Sequence, residues 1–500
     1  MSHLAAMVVT LPLAFAVAGM GLRSSPRAAH LLALAGGGLH LALALRLLEG
    51  VLAGGIQVVQ MGGWPAPFGI SLVADPLGAL MVVIAALIGL AAMAYGRHDI
   101  HPDQVGHGFY PLLHILLAAI CGAFLTGDLF NLYVWFEVML MTSFGLLVLA
   151  QHRGQLDAGV KYVVINLVAT LLFLTALGLV YGMTGTLNMA DLHLKLARVD
   201  NPALRTAVLM LFVAAFGIKA AVFPLYFWLP AAYPSLAPSV AAVFAGLLTK
   251  VGVYALMRIT TLVFAADAAT IQPVLLTLAV LTMASGVLGA AAHRDVRRIL
   301  AFHIISQVGY MVLGLALLTP LALAGTVFYL VHHIVVKANL FLVGGLMHQA
   351  GGAFDLTRLG GLYRRRPLLA ALFFIPAFSL AGFPPLSGFW AKMILIRAGI
   401  EADAVAAVAA AVVVGLLTVY SMTKIWAEAF WQEPPAGPAA EAAVEPGSPL
   451  WRVVPVAVLA ILTVAIGLGA EPVYRVAAAA AEALLRPEAY VAAVLKGGAG

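Results

Sequence analysis

Long apolar runs separated by short polar connections dominate this chain from Leu4 to Leu468. A helix needs roughly 20 apolar residues to cross the hydrocarbon of a bilayer, and about 14 segments are that long. Their centres fall near Ala14, Leu39, Ala85, Leu117, Met139, Thr170, Phe212, Leu247, Leu278, Leu313, Val336, Leu380, Val412 and Leu462. Lipid offers no partner to an open backbone, so each run predicts a helix. The first run, Leu4–Met20, has no basic segment ahead of it and leads into another apolar run. It therefore reads as a span, not as a cleaved leader.

The runs fall into groups. Residues 1–105 hold spans one to three, 106–262 hold spans four to eight, and 268–426 hold spans nine to thirteen. Residues 427–450 are expected to be a cytoplasmic linker, and 451–500 the last span with a tail. Within the linker, "QEPPAGPAAEAAVEPGSP" (Gln432–Pro449) has no core-forming pattern. The Ala-rich tail, Glu471–Gly500, is compatible with a surface helix.

Composition agrees with this reading. The chain is 63% hydrophobic and 10% charged, against about 25% charged residues in soluble domains. The fold class is an all-α polytopic membrane protein. A net charge of +6 reflects basic inner loops and implies no nucleic-acid partner. The single cysteine, Cys121, excludes a disulfide framework or a cysteine-ligated cluster.

Lys and Arg set the orientation. The odd-numbered loops carry most of them, including Arg294, Arg297, Arg298 and the triplet Arg364, Arg365 and Arg366. The even-numbered loops carry fewer: Arg46, Lys195, Arg198, Arg205, Arg258 and Arg397. The odd loops are thus expected in the cytoplasm and both termini outside.

Four lysines remain inside apolar runs: Lys219, Lys250, Lys337 and Lys392. Among the acids, only Glu137, in "FNLYVWFEVMLMTSF", is expected deep in a span. A charge at that depth costs several kcal/mol unless it has a partner or a task. Lys219 precedes a run of prolines in "AAFGIKAAVFPLYFWLPAAYPSLAPS", and Lys392 follows one in "FSLAGFPPLSGFWAKM". Proline breaks a helix, and a broken span is tolerated where it is buried or lines a polar cavity. Spans seven and twelve are therefore predicted to be broken. Aligning Ala214–Trp228 with Pro376–Trp390 matches Ala215/Ala377, Phe216/Phe378, Phe227/Phe389 and Trp228/Trp390, the trace of an internal repeat.

In the eleventh span, His333 and Lys337 are four apart and share a face. His332 points about 100° away. Desolvation disfavours an ammonium and a nearby carboxylate favours it, so a buried lysine's charge depends on where its partner stands. With histidine, which titrates near neutrality, such groups suit a proton relay. The plainer readings are a packing contact for Glu137 and snorkelling for Lys250 and Lys392. His303, His348 and His114 read as hydrogen-bonded structural residues, and Asp128 as a helix cap. No phosphate loop, zinc motif or dinucleotide turn is present, so no cofactor or metal is expected.

The stretches "GDLFNLYVWFEVMLM" (Gly127–Met141), "GIKAAVFPLYFWLPAAYPSLAPS" (Gly217–Ser239), "HRDVRRILAFHIISQVGYMVLG" (His293–Gly314) and "SLAGFPPLSGFWAKM" (Ser379–Met393) resemble the antiporter-like subunits shared by Mrp cation/proton antiporters and respiratory complex I. The resemblance spans most of the chain. It implies 14 helices with two inverted five-helix repeats. It also implies a proton path in which Glu137 pairs with Lys219, Lys250 is the central lysine, Lys337 with His332 and His333 forms the next relay, and Lys392 is terminal. The implied partners are other Mrp antiporter subunits in a bacterial plasma-membrane complex, with protons and Na+ as the transported ions. Two other functions are open: a proton-pumping subunit of a complex I or hydrogenase-type membrane arm, and an inert scaffold whose buried charges only hold partners.

Overall fold

The computed structural model describes residues 3–433 and 450–496. The apolar runs are helices: α1 Leu4–Gly21, α2 Pro26–Gly54, α3 Pro76–Asp99, α4 Phe109–Leu125, α5 Leu129–Leu147, α6 Arg153–Thr184, α7 Pro202–Ala220 resuming at Trp228–Ala232, and α8 Pro238–Val263. They continue as α9 Ala268–Ala292, α10 Val296–Leu317, α11 Pro320–Gly351, α12 Pro367–Ala381 resuming at Ser387–Glu401, α13 Val405–Trp431 and α14 Leu450–Leu468. Helices seven and twelve are broken, as their prolines predict. Beyond residue 433 the expected linker lies outside the described residues.

Two features escape the apolar pattern. A hairpin of β1 Gln57–Gln60 and β2 Ser71–Ala74 precedes α3, pairing Gln57 with Ala74 and Gln60 with Ser71. After α14 the chain bends by 81° into α15 Ala470–Leu485, which buries Ala477, Ala480, Ala481 and Leu484. A last helix, α16 Glu488–Lys496, buries Tyr490, Val491 and Val494.

The internal repeat is written in the backbone. The Asp128 carboxylate accepts from the Asn131 N–H and starts α5, and the Asp295 carboxylate accepts from Arg297 and Arg298 and starts α10. Each of these caps lies beside the residue that follows the next long helix. Leu129 N–H donates to Leu187 C=O and Met189 N–H to Gly127 C=O, at 2.9 and 2.8 Å. Val296 donates to Phe354 and Leu356 to Arg294 in the same arrangement, both at 3.0 Å. The intervening helices, α6 and α11, are each 32 residues long. Each ends on a left-handed glycine, Gly185 at φ 68° and Gly352 at φ 72°, where the missing Cβ removes the steric penalty.

The broken helices also correspond. The first half of α7 ends at left-handed Ala221 (φ 62°) and that of α12 at left-handed Gly382 (φ 99°). Val222 N–H then returns to Gly217 C=O, and Phe383 N–H to Phe378 C=O. This aligns Pro224 with Pro385, one residue away from the register that the four side-chain identities suggest. Backbone geometry decides the register here, because an apolar run contains chance identities.

Candidate functional site

Helices α8 and α11 are enclosed along their whole apolar windows, and α10 nearly so. These inner helices carry ionisable groups that lipid would reject. Lys250 on α8, His303 on α10, and His332, His333 and Lys337 on α11 are completely buried. Lys219 and Lys392, beside the two breaks, are buried as well.

Each deep lysine is held by a main-chain carbonyl. Lys219 Nζ reaches Asn166 C=O at 3.5 Å, Lys337 reaches Leu300 C=O at 3.0 Å, and Lys392 reaches Ala381 C=O at 2.9 Å. Lys250 donates to Ala245 C=O. A π-type turn over Phe244–Leu248 lies just ahead of Lys250, the kind of distortion often found at functional sites. None of the four forms an ion pair with a carboxylate among the described residues.

Direct pairing of Glu137 with Lys219 is thus corrected. Glu137 is half-buried and accepts from Thr170 Oγ1 at 2.6 Å. Asn166, which holds Lys219, lies one turn away from Thr170 on α6. The Lys219 ammonium also sits 5.6 Å from the centre of the Phe136 ring. Beside it lies a cavity of about 20 Å³, lined by Asn166, Tyr162, Trp228 and Leu248 among others, which is room for about one water molecule.

The adjacent histidines of α11 diverge. His332 Nδ1 meets Ser387 Oγ of α12 at 2.8 Å. The His332 ring packs so closely on α12 that a Cβ on Gly388 would lie 2.8 Å from it. His333 makes no hydrogen bond among the described residues and lies within the fields of Lys250 and Lys337. One helix therefore turns one imidazole to each half of the bundle.

A third group comes from α10. Lys392 Nζ lies 5.4 Å from the Tyr310 ring centre. Tyr310 stacks on Tyr329 at 5.4 Å, and Tyr329 donates to Gln307 Oε1. Polar residues at 303, 306, 307 and 310 recur at helical spacing inside an apolar run, and that spacing is the signal for an inner face. Reading His303 as a lone structural histidine misses it.

Arg258 is also misplaced by the loop count. It lies inside α8, 4% exposed, and pairs with Asp75 at 2.5 Å. Tyr254 and Tyr490 flank its guanidinium at 5.1 and 5.5 Å. Asp75 follows β2 and caps α3 at Gly78, so a second acid, 1% exposed, joins Glu137. The strands of the hairpin that places Asp75 are only 4 residues each, which is why the pair is invisible in the runs.

A row of buried lysines and histidines crossing a bundle of paired, broken-helix repeats defines a membrane protein of the ion-translocating type. The chain belongs to the family described as NADH:quinone oxidoreductase/Mrp antiporter, membrane part, which it matches over residues 126–418. It is 45% identical over 456 residues to the D subunit of the Na(+)/H(+) antiporter of Alkalihalophilus pseudofirmus, covering 91% of this chain and 92% of that one. Its structure is similar to a chain of the Mrp complex from Dietzia sp. DQ12-45-1b, with TM-score 0.91, 36% identity and 99% of each chain covered. It is also similar to a chain of respiratory complex I from Thermus thermophilus, with TM-score 0.80, 26% identity, and 96% of this chain and 99% of that chain covered.

Proposed function

We propose that this chain is the proton-carrying D-type subunit of a multisubunit Mrp Na+/H+ antiporter in a bacterial plasma membrane, a transporter component with no enzymatic site of its own. Protons move along Glu137, Lys219, Lys250, His333, Lys337, His332 and Lys392, with His303 beside the last steps, and their movement is coupled to Na+ efflux by the other subunits. Both termini face outside, and residues 106–262 and 268–426 are the two half-channels.

The observation that carries this reading is the carbonyl ligation of all four lysines. A carbonyl holds an ammonium without becoming its counter-ion, so the amine is free to give up its proton. Glu137 and Lys219 act as a switch. In the observed arrangement the pair is parted, with each group on its own turn of α6. A shift of about one helical pitch, roughly 5.4 Å, brings the ammonium to the carboxylate and favours its charged form. The reverse shift releases the proton towards Lys250.

The test uses Glu137→Ala and Lys219→Ala in the assembled complex, with sodium-dependent proton movement followed in membrane vesicles. Loss of movement with intact assembly is expected. Unchanged movement would assign these charges to scaffolding.

A further inference from the structure

Helix α3 runs antiparallel to α8 and clasps it at both ends with an aspartate. At one end Asp75 pairs with Arg258 and the pair is sealed by Tyr254 and Tyr490. At the other end the Asp99 Oδ2 accepts from the Ser239 N–H at 2.7 Å, on the first turn of α8. The two clasps differ in one respect. Asp75 has a cation, whereas Asp99 forms no ion pair among the described residues.

The surroundings of Asp99 are polar and incompletely bonded. Asp99 Oδ1, His98 Nε2, Ser239 Oγ and Arg452 Nε are buried atoms without hydrogen-bond partners among the described residues. Arg452, from α14, is directed to Gln349 of α11 at 3.3 Å. Arg97, His30 and Tyr110 are the other charged or titratable groups whose fields reach this cluster, and His30 Nδ1 is hydrogen-bonded to the Tyr110 hydroxyl at 2.9 Å. His98 is half-buried and Arg97 exposed, so the cluster adjoins the protein surface at the C-terminal end of α3.

One turn further along α3, fully buried Tyr95 donates to Leu342 C=O of α11 at 3.1 Å. It fits because residue 345 is glycine: a Cβ there would lie 2.6 Å from the Tyr95 hydroxyl. Lys337 is five residues from Leu342, about 7.5 Å along the helix. Asp99 and Tyr95 therefore lead from the end of α3 to the turn of α11 next to the one that carries Lys337.

We propose that Asp99 is the proton-exchange group at the inner mouth of the pathway, an assignment that rests on the relay above. In the uptake direction its carboxylate takes a proton from surface water at Oδ1. The proton passes by way of the Tyr95 hydroxyl and bridging water molecules to the neutral amine of Lys337, and Asp99 returns to the carboxylate. The sealed Asp75–Arg258 end directs this exchange to one side of the membrane.

The experiment compares Asp99→Asn, Asp99→Glu and Lys337→Ala in the intact complex, with proton movement followed in vesicles across a pH series. Asn keeps the acceptor for the Ser239 N–H and removes only the exchangeable proton. With assembly intact, Asp99→Asn is expected to lower the rate about a hundredfold, the lower range for a positioned proton-transfer group, and formate is expected to restore part of it. A wild-type rate and pH profile in Asp99→Asn, or a slowed rate that formate leaves unchanged, overturns the proposal. Should Asp99→Asn not assemble, Asp99→Glu decides: a displaced pH profile is expected, and an unchanged one is fatal. If Lys337→Ala also moves protons normally, it is the relay that fails.

Discussion

Asn166 and Thr170 stand one turn apart on α6 and divide the work of holding a parted charge pair, the first taking the Lys219 ammonium and the second the Glu137 carboxylate. The repeat gives this arrangement a counterpart. Helices α6 and α11 have equal length and equivalent caps, so counting from their first residues puts Asn166 level with His333 and Thr170 level with Lys337. The first half thus places neutral groups where the second half places titratable ones.

Removing the Thr170 hydroxyl tests this division. Hydrogen bonds to charged groups are worth about 1.5–3 kcal/mol, and in Thr170→Val the half-buried Glu137 loses its donor. Proton movement is expected to fall about tenfold while the complex still assembles. Vesicle transport and size-exclusion chromatography give the two readouts.

Ala221 and Gly382 occupy equivalent left-handed corners, so opposite substitutions should have opposite effects. Gly382→Ala places a Cβ 3.0 Å from Lys392 Cδ at φ 99° and should cost more than about 1 kcal/mol. Ala221→Gly relieves a strained non-glycine corner, worth about 1–2 kcal/mol. Thermal unfolding of the purified complex should move down for the first and should not fall for the second.

The Asp75–Arg258 pair is expected to be costly to break from one side. Asp75→Asn preserves the cap on α3, because Asn and Asp cap equally well, yet leaves a buried guanidinium unpaired. The cost of such a loss is about 3–5 kcal/mol. A second substitution, Arg258→Met, should recover most of the lost stability, read as the unfolding midpoint of the single and double variants.

The exposed pair Lys161–Asp157, closed at 2.6 Å, should behave differently. Exposed helix pairs of this spacing contribute about 0.3–0.5 kcal/mol, so Lys161→Ala is expected to leave unfolding and transport nearly unchanged. Lys337→Ala should abolish transport in the same vesicles. Equal effects of the two would contradict the role given to burial.

Much of this architecture was legible because bilayers enforce simple rules. Apolar length predicts the helices, and proline clusters predict the breaks after Ala220 and Ala381. The deep lysines are visible as cations inside apolar runs. Other features depend on three-dimensional placement. Arg258 reads as a loop residue until α8 is seen to extend past it, and Asp75 reads as a loop acid until a short hairpin delivers it to the same depth. Glu137 and Lys219 are recognisable as related, but the α6 groups that part them, a main-chain carbonyl at Asn166 and the Thr170 hydroxyl, carry no charge and so attract no notice. His303 would have been found by asking whether polar residues within an apolar run share one face.

Carbonyl ligation of the lysines has a consequence for how the row conducts. A carboxylate beside each amine would make every site a deep well, holding its proton until the anion was itself neutralised. Main-chain dipoles make shallower wells, and they cannot be titrated away. Charge can then pass from site to site with little climbing, and direction is left to be set where Glu137 moves, at one end of the row, and where water reaches Lys337 within it.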